Sequence, residues 1–175
     1  MKQNKINKIF ANAQRVVKNN AINSNETIND VEQKIIDTQY TLYFDGCSKG
    51  NPGEAGAGSV IYKNGEEIWS CAVFVGEKET NNVAEYSGLV IGLNKAVELG
   101  IKNLFVKGDS QLVIKQMNKE YRVSSDSIKE LNKLAKNLVK RFDNISFAHV
   151  YREFNKRADE LSNLGLLKNP RYVVY

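Results

Sequence analysis

The chain has 175 residues, 42% hydrophobic and 26% charged, which is enough apolar material for one substantial core. Its 25 basic residues against 20 acidic ones give +5, a mild excess that favours an anionic partner without establishing one. No stretch approaches the roughly 18 apolar residues of a membrane span, the N-terminus lacks the apolar core of a secretory signal, and Cys47, Cys71 and the lone His149 make neither a disulfide framework nor a zinc cluster. A reducing, cytoplasmic setting is therefore expected, and any metal must be held by oxygen ligands, as Mg²⁺, Mn²⁺ or Ca²⁺ would be.

Residues 1–38 differ in texture from the rest. Ile6, Ile9, Phe10, Ala13, Val16 and Val17 fall at helical spacing, with Lys2, Lys5, Lys8, Arg15 and Lys18 elsewhere on the surface, so a short basic amphipathic helix is expected. Residues 19–38 read as an Asn- and Thr-rich linker. Three roles suit this extension: an arm tethering nucleic acid, a self-association helix, and an organellar presequence.

From residue 39 to about 170 the sequence specifies one α/β domain. Residues 40–45, rich in aromatic and β-branched side chains, predict a strand ending in a loop with five glycines and Pro52. Residues 59–63 predict a second strand, Asn64-Gly65 a hairpin turn, and residues 66–75 a third strand. Helical periodicity over 82–99 stops at Gly100. A short apolar strand at 104–106, helices over 110–117 and 125–142, a strand over 145–150 and a helix over 155–167 complete the order β-β-β-α-β-α-α-β-α. That order predicts a mixed sheet of five strands, three antiparallel and then parallel ones, flanked by helices.

Four acids stand out by position, although each has an ordinary structural role available. Asp45 before Gly46 suits an Asx-turn, Glu85 three residues after Asn82 suits a capping box, Asp109 before the 110–117 helix suits an N-cap, and Asp159 suits a helix first turn. Together they end two strands and begin two helices, places that converge at one edge of an α/β sheet. Four carboxylates meeting there repel one another unless cations neutralise them. Two divalent ions would cancel their charge, and such a pair serves phosphoryl displacement.

Four sequence blocks carry a family likeness: Tyr43-Phe-Asp45-Gly-Cys-Ser-Lys-Gly50-Asn-Pro-Gly53, Thr80-Asn-Asn82-Val-Ala-Glu85-Tyr86, Gly108-Asp109-Ser-Gln111 and Asn155-Lys-Arg-Ala-Asp159-Glu-Leu-Ser-Asn163. Over residues 39–168 the chain resembles type 1 ribonuclease H, the RNA–DNA hybrid endonuclease. The resemblance implies the ribonuclease H-like fold, Asp45, Glu85, Asp109 and Asp159 as the catalytic and metal-binding set for two Mg²⁺ ions (Mn²⁺ as the alternative), and products with 5′-phosphate and 3′-hydroxyl ends. Asp159 rather than the adjacent Glu160 is assigned, since Ala158 and Leu161 mark the buried face. The family's pattern also implies that Gly46, Cys47, Ser48, Asn51, Asn82 and Gln111 meet the 2′-hydroxyl-bearing strand, with Thr80 and Asn81 at a DNA-strand phosphate.

Two departures qualify the likeness. Many family members carry a His in the loop before the last helix; here that loop is Tyr151-Arg152-Glu153-Phe154, Arg152 is the substitute candidate, and His149 is expected to be a packed core or rim residue of the strand. Residues 117–129 are also too short for the basic helix and loop that some members insert, so the shorter subtype of bacteria and archaea is expected. Lys129, Lys133, Lys136, Lys140 and Arg141 can still form a basic helix face. The expected partner is an RNA–DNA hybrid, with double-stranded RNA, or a binding module without turnover, as the alternatives. Residues 1–38 hold 6 basic and 4 acidic residues and the remainder 19 and 16; with four of those acids in the site, the rest of the domain carries about +7, a footprint suited to nucleic acid.

Overall fold

Alternation along the first strand decides how the domain is layered. In the computed structural model, which describes residues 40–167 and 172–174, β1 (Tyr40–Lys49) sends Leu42 and Phe44 into the main core and Tyr43 to the opposite face, as a period of two requires. The extension of residues 1–38, with its predicted helix, lies outside the described residues.

β1 pairs antiparallel with β2 (Gly53–Lys63), which pairs antiparallel with β3 (Glu66–Glu79) across the predicted Asn64-Gly65 turn. On its other side β1 pairs parallel with β4 (Asn103–Gly108), and β4 with β5 (Asn144–His149). These are the five expected strands. A sixth, β6 (Tyr172–Val174), extends the sheet by pairing with β3, giving the order β5-β4-β1-β2-β3-β6. It falls beyond residue 170, where three residues offered too little periodicity to mark a strand.

Helix α1 (Asn81–Glu98), the short α2 (Gln111–Met117) that follows β4, and helix α3 (Asp126–Val139) cover the Leu42–Phe44 face. Helix α4 (Lys156–Gly165), preceded by a 3₁₀ turn (Arg152–Phe154), covers the other face through Ala158 and Leu161, packed on Val60 and Ala72. On α3, Ile128 and Ala135 are buried while Lys129, Lys133, Lys136 and Lys140 are exposed, so the basic face exists on the surface. Residues 118–125 join α2 to α3 with no intervening helix. Among the described residues no helix is long and apolar enough to cross a membrane.

Several boundaries differ from expectation. The glycine-rich stretch is mostly strand: β1 runs on to Lys49 and β2 starts at Gly53, leaving a turn at 50–52 with Gly50 at φ +102°. The reason is helix–sheet contact. A Cβ at Gly46 would lie 2.1 Å from the Glu85 amide nitrogen, and one at Gly58 2.4 Å from the Ala158 carbonyl oxygen. Glycine there lets a helix backbone lie directly on the strand from each face. Likewise the N-cap of α1 is Thr80, whose Oγ accepts from the Val83 amide at 3.3 Å, rather than Asn82. Ser110, not Asp109, stands at the cap position of α2.

Candidate active site

Strand register brings the first two acids together. Phe44 is aligned with Gly108 in the parallel β1–β4 pair, which ends there, so the next residues, Asp45 within β1 and Asp109 just past β4, stand side by side where the two strands part. Helix α1 supplies the third. Its backbone rests on β1 at Gly46, and the glycine at position 88 lets it approach further, since a Cβ there would lie 2.7 Å from the Asp45 carbonyl oxygen. Glu85, one turn in from the N-terminus, therefore stands over β1 at Asp45 and Gly46. Ligand oxygens of Asp45, Glu85 and Asp109 all lie within 4.8 Å of one another.

Asp45 is 4% exposed and Glu85 6%. Burial pushes the Asp45 carboxyl up to about 7, the neighbouring Asp109 and Asp159 charges add to this, and hydrogen bonds from Ser162 and the Gly46 amide oppose it. Burial likewise raises Glu85 well above the ordinary carboxylate range, with Asp45 and Asp109 adding to it. One Glu85 oxygen, Oε2, is buried without a hydrogen-bond partner; the other accepts from Asn81 Nδ2 at 3.5 Å. An unpartnered buried carboxylate oxygen beside two further carboxylates is costly unless a cation serves it. The all-oxygen donor set suits a hard divalent ion.

The fourth acid is placed differently. Asp159, on the first turn of α4, lies outside the three-carboxylate group and pairs with the guanidinium of Arg152 from the preceding 3₁₀ turn. It is still near enough to raise Asp45. Glu160, its neighbour, is exposed and accepts from Arg157 at 2.8 Å. On this helix Asp159 thus points toward the site and Glu160 away from it.

Two positioning residues were not singled out by the sequence. Asn155 is 1% exposed, and its amide nitrogen donates to the Phe44 carbonyl at 2.9 Å and to Asp109 Oδ1 at 2.8 Å. One side chain thereby ties the middle of β1, the residue after β4 and the start of α4. Ser162, fully buried, places its hydroxyl 2.5 Å from Asp45 Oδ2 and 2.9 Å from the Asp159 carbonyl. The available signal was spacing: Asn155 and Ser162 fall four residues before and three after Asp159, on one helical face. His149 is a rim residue, exposed at the end of β5. Its Nε2 lies 3.1 Å from the Asp109 carbonyl oxygen, and since a carbonyl only accepts, that nitrogen carries the proton.

The residues assigned to substrate surround the acids. Gly46, Cys47 and Ser48 continue β1, with the Ser48 hydroxyl donating to the Glu79 carbonyl at 2.7 Å. Asn51 Oδ1 accepts from the Asn81 amide at 2.9 Å, pinning the 50–52 turn to the start of α1, where Thr80 caps the helix. Asn82 and Gln111 are exposed at the starts of α1 and α2.

Comparison with known proteins gives the family and the fold. A family model described as "Reverse transcriptase-like" matches residues 43–165. A Ribonuclease HI of Halobacterium salinarum is 37% identical over 124 residues, which is 71% of this chain and 62% of that protein. The chain belongs to the type 1 ribonuclease H family. Among solved structures, the N-terminal RNase H domain of the Mycobacterium tuberculosis protein Rv2228c superposes with a TM-score of 0.71 at 36% identity, covering 74% of this chain and 94% of that one. The LC11 RNase H1, solved in complex with an RNA/DNA hybrid, gives 0.69 at 36% identity, covering 73% and 96%. The chain spans less than two thirds of the length of the Halobacterium protein and 33% of the mycobacterial one. The β3-β2-β1-β4-β5 sheet and its helices are the ribonuclease H fold that the sequence blocks implied.

Proposed function

We propose that this ribonuclease H family member is a metal-dependent endonuclease that hydrolyses the RNA strand of RNA–DNA hybrids, leaving 5′-phosphate and 3′-hydroxyl ends. The observation that carries the reading is the Asp45–Glu85–Asp109 oxygen group within 4.8 Å, with Glu85 Oε2 unpartnered. Asp45, Glu85 and Asp109 would hold the metal, with Asp159 as the fourth ligand of a two-ion site and Mg²⁺ the ion proposed. Bound there, divalent ions supply a lowered water pKa and charge stabilisation at the departing oxygen.

The chain's own groups fix the geometry that such chemistry needs. Asn155 holds Asp109 and Ser162 holds Asp45, so two carboxylates are oriented by neutral donors before substrate arrives. The Asn51–Asn81 hydrogen bond sets the turn amides beside the start of α1, where Gly46, Cys47, Ser48, Asn51, Asn82 and Gln111 would detect 2′-hydroxyls. Thr80 and Asn81 would meet a phosphate of the DNA strand. Arg152, in the loop position where many relatives carry His, keeps the Asp159 carboxylate oriented and a positive charge beside the scissile phosphate. The LC11 relative's complex with RNA/DNA hybrid supports the choice of substrate.

Cleavage of labelled RNA–DNA hybrid, duplex RNA and duplex DNA, with Mg²⁺ or EDTA, tests this reading for wild type and Asp109→Asn. Mg²⁺-dependent cleavage of the hybrid's RNA strand, lost in Asp109→Asn, is expected. Activity in EDTA or a fully active variant would refute the mechanism, and a preference for duplex RNA would overturn the substrate.

A further inference from the structure

On the sheet face that carries α4, two residues back along β1 from Asp45, lies a cavity of about 330 Å³, at the small end of the range for single-ligand sites. Tyr43 and Tyr62 meet edge to face in its wall, ring centroids 5.8 Å apart at 87°. Phe154, 65% exposed, adds a third ring at the rim. Lys156 and Arg157 line the same space, and Glu153 is the acid among its lining residues. Lys107 stands behind the wall, its Nζ 5.3 Å from the Tyr43 ring centroid and donating to the Tyr43 hydroxyl at 3.3 Å.

Tyr43 and Tyr62 each rest one side on the Val60, Ala72, Ala158 and Leu161 cluster and leave the other open to the cavity. A well-packed interior closes over its aromatic side chains, whereas Tyr43 and Tyr62 are half-buried and Phe154 projects. Aromatic faces beside cations are what binds a nucleotide, the base stacking on a ring and the phosphate meeting an ammonium. Arg157 is already held by Glu67 at 3.0 and 3.1 Å and by Glu160, so the exposed Lys156 is the group able to meet a phosphate. Asn155 connects the pocket to the acid cluster: it lines the cavity and donates to Asp109.

We propose that the Tyr43–Tyr62–Phe154 pocket is a nucleotide-binding site separate from the carboxylates, taking one base with its 5′-phosphate. Two sources share that chemistry: a free nucleoside monophosphate, and an unpaired nucleotide of a strand whose hybrid portion occupies the active site. The second source rests on the proposed hybrid substrate; the pocket itself does not.

Titration calorimetry of the full chain with adenosine and uridine 5′-monophosphates, in EDTA, tests the site directly. Without metal the acid cluster repels phosphate, so binding reports the pocket. Saturable millimolar or tighter binding is expected, weakened roughly 5- to 100-fold by Tyr62→Ala, as loss of one stacking ring predicts, and also weakened by Phe154→Ala, whose exposed side chain makes it a variant that folds. The second arm compares affinity for a blunt hybrid and for one with a short unpaired RNA extension. A gain from the extension that Tyr62→Ala abolishes identifies the strand as the source; nucleotide binding with no such gain identifies the free nucleotide. No saturable nucleotide binding and no gain from the extension, or wild-type affinity in both ring variants, overturns the proposal. Cleavage of blunt hybrid is expected to be unchanged in Tyr62→Ala. Cleavage with neither nucleotide binding nor a gain from the extension refutes the pocket alone, and nucleotide binding by a chain that does not cleave hybrid refutes the enzyme reading alone.

Discussion

The two halves of the acid cluster are built differently. On one side, Asp45 and Glu85 are buried at the junction of β1 and α1, and Asn155 and Ser162 are buried against the cluster's carboxylates. On the other, Asp159 and Arg152 form a partly exposed pair beside the exposed rings of Tyr151 and Phe154. The buried half is fixed by backbone contact at glycine and is costly to keep charged. The open half is a partly exposed ion pair, which fixes its partners only weakly. A site assembled this way holds its geometry in the core and leaves the approach adjustable.

Changes in the buried half should therefore have the largest effects, and in opposite directions for activity and stability. Asp45→Asn is expected to lower hybrid cleavage by about 10³-fold or more, as removal of a central electrostatic group does. The same change is expected to stabilise the metal-free protein at pH 8. Asp45 moves from an ordinary 3.8 to about 7, and each unit is about 1.4 kcal/mol, so a gain on the order of 2 kcal/mol remains after relaxation. Thermal melting in EDTA beside a cleavage assay checks both. An inactive variant with an unchanged or lower melting temperature would contradict the cost assigned to this half.

Next in size is the pH dependence that cost implies. Unfolded Asp45 ionises near 3.8 and folded Asp45 near 7, with Glu85 raised in the same sense. Below about pH 4 both states are protonated and the site costs nothing. As pH rises toward 7 the unfolded chain releases its proton first, so the metal-free protein loses stability across that window. A bound divalent cation replaces the protons, so Mg²⁺ should raise the melting temperature more at pH 8 than at pH 5. Equal Mg²⁺ shifts at the two pH values would remove the comparison's electrostatic basis.

Asn155→Ala comes third. It strips Asp109 and the Phe44 carbonyl of a buried donor, which costs about 1–3 kcal/mol, and should lower cleavage roughly 10- to 100-fold through loss of orientation. Asn155→Asp restores the size and not the donor. If alanine and aspartate differ little from wild type in activity, the residue is structural only.

How much of this was legible follows from the range of the interactions. The strands around Leu42, Phe44 and Asn64-Gly65, and the periodicity of α1, are local patterns and stand where the residues put them. The strand extensions through Gly46, Gly56 and Gly58 were not legible, because glycine signals a loop locally and here serves contact with helices distant in sequence. The acids could be assigned jointly from order and family likeness, yet Asp159's pairing with Arg152, seven residues earlier, depends on the 3₁₀ turn at Arg152–Phe154, which the loop sequence did not announce. Asn155 and Ser162 share the Asp159 helix face but act on carboxylates more than 45 and 115 residues away, and only the packed structure shows those partners.

The smallest effect belongs to the open half, and it bears most on the comparison. Arg152 is 76% exposed in its side chain and Asp159 28%, so their ion pair contributes under about 1 kcal/mol to stability, and Arg152→Ala should leave the melting temperature nearly unchanged. Its expected signature is kinetic: a few-fold fall in hybrid cleavage that high salt diminishes, because an exposed charge acts on phosphate through a screened field. Arg152→Lys should recover part of that loss, since the charge is kept while the planar fork that holds Asp159 is not. A loss in Arg152→Ala as large as that of Asn155→Ala, or one insensitive to salt, would mean that this arginine is fixed as firmly as the buried groups. The two halves would then be one rigid site.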